Sequence, residues 1–278
     1  MSEKNLGDMS RREIYKEIYK FNFHFDLKHI LSGFDYERVH EVPEVLRSLG
    51  IDRDKDLKMK ILDVACGTSV YPCFIASRGH QVYAADLNPV DIKWQEKMSR
   101  KFGFEIKTSV QDCSNLSYPD CFFDRVYSIS SIEHFRGDNM DGDIIAMKQI
   151  GRILRPGGLA VISVPFTAHY RENIDTKNYI GNFSRYYNKE NLNSRLIEPS
   201  GLTLKNMKIL GEKEYAFSKS WFLKYFFRCV PGIVRTPFTS LFVIPATLYV
   251  SEIKEDEIKP DRDYTAIITL VKDKVIAK

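Results

Sequence analysis

The chain has 278 residues, of which 44% are hydrophobic and 28% charged, a composition that excludes a disordered polymer and suits one α/β domain with additions. Its 41 basic and 37 acidic residues leave a net charge of +4, too balanced to point to nucleic acid, and no lysine/arginine tract stands out. Cys66, Cys73, Cys113, Cys121 and Cys229 are odd in number and lack zinc-ribbon or C-x-x-C spacing, so reduced thiols, no metal and a cytoplasmic location are expected.

The first 20 residues are polar and lack an apolar centre, so no signal peptide is expected, and no apolar run is long enough to predict a membrane-spanning helix. Residues 1–58 read as a helical cap. Helical spacing covers 11–19 and 36–49, and Gly50 stands where a helix would end. Between them Phe21, Phe23 and Phe25 cluster with His24 and His29, either as packing against the main domain or as a cover over a pocket.

From residue 60 strands and helices alternate. Strands are predicted at 60–65, 81–86, 105–110, 123–130 and 159–164, and helices at 70–78, 88–100 and 138–154. Arg155, Pro156, Gly157 and Gly158 read as a turn. This alternation implies parallel strands joined by right-handed crossovers. Residues 166–185 read as polar, aromatic and strandless, followed by a short helix at 188–197 and strands at 202–210 and 264–272. The last pair would give the sheet an antiparallel member.

The stretch 215–250 is rich in Trp, Phe and Pro, and a helix there would carry Ser220, Lys224 and Arg228 as a narrow polar stripe. It reads as an acceptor-covering or structural insertion, as peripheral contact with a membrane surface, or as an oligomer interface.

The candidate chemistry lies at the C-terminal ends of the first four predicted strands, the edge where open α/β sheets bind ligands. Asp63 and the Ala65–Ser69 turn end the first strand, and Asp86 ends the second, placed to accept both hydroxyls of a ribose. Asp112 and Cys113 follow the third, and the segment from Ser130 to His134 follows the fourth. The single glycine of the turn, Gly67, is a poor cradle for a pyrophosphate, which wants G-x-G-x-x-G. A nucleoside carrying a compact amino-acid group suits it better than a dinucleotide.

The series ILDVACGTS (61–69), VYAADLNP (82–89), QDCSNLSYPDCFFDRVYSISSIEHF (111–135) and RILRPGGLAVISVP (152–165) resembles a class I S-adenosylmethionine-dependent methyltransferase of the branch acting on small molecules, lipids and glycans. The resemblance implies a Rossmann-like, seven-stranded, mostly parallel sheet with helices on both faces and an antiparallel terminal strand. It assigns residues 59–278 to the methyltransferase domain, with an insertion at about 215–255. S-adenosylmethionine would be the cofactor, with no metal.

By the same resemblance Asp63 would orient the amino group, and Ala65 and Gly67 would line the methionine moiety. Asp86 would take the ribose, Leu87 would pack on adenine, and Asp112 with Cys113 would meet the adenine amino group. Ser130 would supply a carbonyl contact. Ala65 and Ser69 stand where the family often has glycine; the alanine is expected to fit easily, while Ser69 would narrow the pocket or bond the carboxylate. His134 is a candidate base or acceptor contact, alternatively a packing residue. His169, Tyr170, Arg185, Tyr186 and Tyr187 lie where such proteins often build the acceptor pocket.

The expected reaction is methyl transfer to oxygen on a small-molecule, lipid or glycan acceptor, with no nucleic-acid partner, in the cytoplasm or peripheral to the inner face of a membrane. The alternatives are a binding module without turnover and a nicotinamide-dependent oxidoreductase.

Overall fold

The computed structural model describes residues 5–22, 38–52, 58–175, 182–212 and 250–274. The predicted 215–250 element, except its last residue Val250, and the cluster of Phe23, His24, Phe25 and His29 therefore lie outside the described residues.

Helices α1 (Arg11–Asn22) and α2 (Arg38–Leu49) precede an alternating core. The core runs β1 (Lys60–Val64), α3 (Tyr71–Ser77), β2 (Gln81–Asp86), α4 (Pro89–Phe102), β3 (Ile106–Val110), β4 (Phe123–Ile129), α5 (Gly142–Ile153) and β5 (Leu154–Phe166). The helices predicted at 70–78, 88–100 and 138–154 form as Tyr71–Ser77, Pro89–Phe102 and Gly142–Ile153. Pro72 sits in the first turn of α3. The Asn88 side chain accepts from Val90 N–H at the start of α4, which closes at Gly103 in the left-handed conformation.

A hairpin, β6 (Arg171–Asp175) and β7 (Asn182–Tyr186), follows. Then α6 (Lys189–Leu192) runs through a π-helical segment (Asn193–Ile197) into α7 (Glu198–Ser200). Strands β8 (Thr203–Glu212), β9 (Val250–Glu252) and β10 (Tyr264–Val271) complete the chain.

The sheet has eight strands in the order β3-β2-β1-β4-β5-β10-β8-β9. The first five are parallel, β10 is antiparallel to both β5 and β8, and β9 is antiparallel to β8. The expected count of seven is corrected by β9, three residues paired with Leu210–Glu212, too short to carry a periodic signal. Strand order reverses between β1 and β4, which opens the ligand crevice there.

Side chains alternate across each strand, so each strand feeds two cores. Leu62, Val126, Ile162 and Ile268 pack with Met147 and Ile150 of α5 on one face. Ile61, Tyr127, Val161 and Ile267 pack on the other, with Ile14 and Ile18 of α1, Val42 and Leu46 of α2, Phe74 of α3 and Ile92 of α4. The N-terminal helices thus belong to the same hydrophobic core as the sheet. Buried Glu44 ties them further, accepting from Arg11 Nε (2.7 Å), Arg47 Nη1 (2.6 Å) and Lys208 Nζ (2.8 Å). Burial alone would raise its carboxyl, but Arg11 and Lys208 overrule it and hold the group below its ordinary range.

Two other expectations are corrected. Residues 166–185 are not strandless: Arg171 to Asp175 pair antiparallel with Tyr186 to Asn182. Charged and polar residues occupy most of these positions, so no apolar alternation marks the strands in sequence. The segment of Arg155 to Gly158 lies within β5, where the β4 register jumps from Phe123 opposite Leu154 to Arg125 opposite Leu159. Gly157, at φ +77°, absorbs the irregularity and still donates its N–H to the Lys272 carbonyl (2.7 Å).

Candidate cofactor and active site

The turn after β1 is built from both sides. Cys66 N–H bonds the Ala85 carbonyl (3.1 Å), and Ser69 N–H bonds the Cys66 carbonyl (3.2 Å). From α4, the fully buried Gln95 donates Nε2 to the carbonyls of Gly67 and Ser69, both at 2.9 Å. Gly67 sits at φ +51°, and Ala65 at φ +58°. Ala65 is therefore not the easy replacement expected from sequence, because a Cβ is disfavoured in the left-handed region.

Asp86, at the end of β2, accepts from Gly67 N–H (2.8 Å) and Asn88 N–H (2.9 Å). A carboxylate offers about four acceptor positions, so two remain for hydroxyl donors. Beside it the apolar side chains of Leu87, Val90 and Val110 stand 66%, 68% and 53% exposed. They gather where β2 and β3 end, since Asp86 and Val110 are register partners. Asp112 is exposed on the same edge, its Oδ1 accepting from Ser114 N–H (2.8 Å). Cys113 is buried, and burial, reinforced by Asp86 and Asp112, pushes its thiol up to about 12, which keeps it neutral.

A cavity of about 290 Å³ opens at the C-terminal end of β1, between the turn and β4. Asp63, Ala65, Gly67 and Ser69 line it, joined by Arg38, Tyr71, Ile129 and Ser131, which the sequence reading did not single out. Asp63 is buried, and Tyr127 Oη donates to its Oδ2 at 2.8 Å. Burial, with the nearby charge of Asp86, pushes the carboxyl up to about 8, against the opposing pull of Tyr127, Ser69 and Arg38. The Ser69 hydroxyl is buried in this wall and makes no hydrogen bond among the described residues.

Ser130 does not line the cavity; its neighbours do. At φ +41° it turns its hydroxyl onto buried Glu41 of α2 and its N–H onto the Ser163 carbonyl (3.1 Å). The following 3-10 turn (Ile132–His134) presents His134, whose Nδ1 lies 2.7 Å from the Phe183 carbonyl of β7. A carbonyl can only accept, so Nδ1 carries the proton and Nε2 keeps its lone pair. Nε2 faces Glu133 Oε1 at 3.8 Å.

The acceptor-pocket expectations divide. His169 is exposed, Tyr170 donates to Glu172 Oε1 (2.6 Å), and half-buried Tyr186 lies under the Arg171 guanidinium (4.1 Å). Arg185 and Tyr187 are corrected to structural residues. Fully buried Arg185 donates to the carbonyls of Phe135 (2.6 Å), Met140 (2.8 Å) and Arg136 (3.3 Å) and faces Asp143 at 3.5 Å. Tyr187 Oη donates to Asp143 Oδ2 (2.9 Å), whose carboxylate also pairs with Arg195. Complete burial leaves neither one exposed to an acceptor.

The arrangement fits an amino-acid-bearing nucleoside. Asp86 keeps acceptors for a diol, the exposed apolar ledge offers a surface for a base, and the polar cavity holds an orphaned hydroxyl beside a carboxyl. No cluster of His, Cys, Asp and Glu able to hold a metal ion forms among the described residues, and no described helix is long and apolar enough to cross a membrane.

The family model described as a methyltransferase domain matches residues 62–162. Norajmaline N-methyltransferase of Rauvolfia serpentina is 30% identical over 136 residues, which is 48% of this chain and 45% of that protein. Methyltransferase GfsG of Streptomyces halstedii is 32% identical over 107 residues, 37% of each chain. The chain thus spans less than half the length of these curated relatives. Among solved structures, phosphoethanolamine N-methyltransferase 2 of Haemonchus contortus, in complex with S-adenosyl-L-methionine, shares the fold with a TM-score of 0.56 at 16% identity, covering 95% of this chain and 58% of that one. Over residues 62–162 the chain matches the methyltransferase-domain model, and its strand order and the acid at the end of β2 are those expected of the class I S-adenosylmethionine-dependent methyltransferases that its sequence resembles.

Proposed function

We propose that the protein transfers a methyl group from S-adenosylmethionine to a hydroxyl oxygen of a small-molecule, lipid or glycan acceptor. The observation that carries the cofactor reading is Asp86, clamped by the N–H groups of Asn88 and of Gly67, the latter a residue of the turn that lines the Asp63 cavity. When bound, the cofactor supplies a methyl group already activated on a sulfonium.

Asp86 would hold the ribose hydroxyls, Leu87 and Val110 the base, and Asp63 the ammonium. His134 supports the oxygen assignment. Its Nδ1–H is committed to Phe183, which orients Nε2 as a base for a hydroxyl proton. Tyr170, Tyr186 and His169, beside the β6–β7 hairpin, are the residues we assign to acceptor contact.

The test is transfer of a labelled methyl group to a panel of hydroxylated lipids, sugars and metabolites, with amines as comparison. Label on oxygen is expected, falling about 100-fold in His134→Gln. Transfer to amines alone would remove the oxygen assignment and the role of His134. Binding of S-adenosylhomocysteine without transfer to any acceptor would favour a binding module, and affinity for a nicotinamide dinucleotide instead would favour an oxidoreductase.

A further inference from the structure

We propose that Arg38, carried by α2 outside the methyltransferase match, is the carboxylate-binding residue of the cavity, so that Arg38 and Asp63 together read both ends of a zwitterionic α-amino-acid group. This rests on the cofactor reading above and deepens it.

Of the ten residues lining the cavity, two are ionisable, and they take charges of opposite sign: Arg38 as a cation, and Asp63 as a carboxylate once an arriving ammonium displaces its proton. The rest of the wall is the small-residue turn, Tyr71, Ile129 and Ser131. An α-amino acid presents its two charges on one carbon, so one cation and one anion in a single small cavity match it in both number and sign.

The guanidinium is fixed in place. Arg38 Nη1 donates to the Ile129 carbonyl at the end of β4 (2.9 Å) and to Glu41 Oε2 one turn along α2 (3.3 Å). Glu41 is itself buried, and its other oxygen takes the Ser130 hydroxyl. Ser130 holds a left-handed backbone at the same strand end, φ +41°. Helix and strand end are therefore latched together at the cavity wall. A guanidinium so oriented loses little rotamer freedom on binding a carboxylate. Glu41 offsets part of the Arg38 charge. At neutral pH Asp63 still holds its proton in the bare cavity, so the wall offers no competing anion until an ammonium arrives. The buried Ser69 hydroxyl lies in the same wall, close to Asp63, and adds a neutral donor.

The test is calorimetry on the full chain with two ligands. S-adenosylhomocysteine carries the amino-acid group, and 5′-methylthioadenosine has the same adenosine and sulfur without it. In Arg38→Met, affinity for S-adenosylhomocysteine should fall about 10- to 100-fold, while affinity for methylthioadenosine stays within about twofold. Arg38→Lys, which keeps the charge and perturbs the latch less, should lose an intermediate amount on S-adenosylhomocysteine only. Unchanged affinity for S-adenosylhomocysteine in both variants overturns the proposal. Equal loss on both ligands also overturns it, since that marks Arg38 as a structural strut. If the unaltered chain binds neither ligand, the cofactor reading itself fails, an outcome distinct from either.

Discussion

Tyr127 and Asp63 are direct register partners on β4 and β1, and the tyrosine hydroxyl donates to the carboxyl at 2.8 Å. The pair stands at the point where the sheet order reverses, so one cross-strand contact sets the protonation of the cavity floor. Tyr127 lowers the Asp63 carboxyl against the burial that raises it to about 8.

Ligand binding should therefore depend on pH. An ammonium needs the Asp63 carboxylate, so affinity for S-adenosylhomocysteine should rise with pH and level off near 8. Tyr127→Phe removes the donor and should move the plateau to higher pH, with binding at pH 7 weaker by about tenfold. Calorimetry across pH 6–9 reads both. An unshifted plateau in the variant would mean that the tyrosine does not tune this carboxyl.

The ligand-free protein should lose stability as pH rises from about 6.5 to 8. Asp63 is raised in the folded state to about 8, so over this interval the folded chain keeps a proton that the unfolded chain has released. Below about 6.5 the trend is opposed. His40 is pushed down to about 4 by burial and by Arg11, and its contribution is lost as pH falls. Asp63→Asn should flatten the upper slope and, below about 6.5, unmask the rise of stability with pH that His40 contributes. Thermal melts across pH, with and without ligand, measure both limbs.

Ala65→Gly should stabilise the fold. Alanine at φ +58° carries left-handed strain of about 1–2 kcal/mol, partly offset by the greater unfolded entropy of glycine. The expected gain is about 0.5–1 kcal/mol, or roughly 1–3 °C in Tm. A lower Tm in the glycine variant would show that the alanine methyl packs favourably enough to outweigh the strain.

Arg185→Met should damage the fold rather than acceptor affinity. It takes one of two guanidinium partners from buried Asp143 and leaves the Phe135 carbonyl without its donor, a loss of about 3–5 kcal/mol. Arg171→Ala, whose ion pair with Asp263 (2.7 Å) is half exposed on both sides, should change stability by less than about 1 kcal/mol. Denaturant midpoints for the two variants separate these cases. A stable Arg185→Met with a raised acceptor KM would return Arg185 to the acceptor pocket.

Much of the fold was legible because parallel strands buried on both faces read as short apolar runs, and helix ends announce themselves through residues such as Pro72, Asn88 and Gly103. The β6–β7 hairpin and β9 were not legible, since their strands pair through backbone and carry few apolar side chains. In the site, Asp63, Asp86 and the Gly67 turn could be read because they lie within a few residues of strand ends. Gln95 was hidden as one polar residue in a polar helix, and Arg38 as one charge in a charged preface.

The local order of strand, turn and acid, and with it the class of cofactor, was determined by the sequence alone, since backbone pattern and ligand chemistry there depend on neighbours along the chain. Only the tertiary structure decided that Tyr127 meets Asp63, that Arg38 reaches the cavity from α2, and that Arg185 is locked in the core rather than offered to an acceptor. Each of those depends on strand register and on which helix packs over which strand end. Burial then sets the charge of the groups concerned, a property that no residue carries by itself.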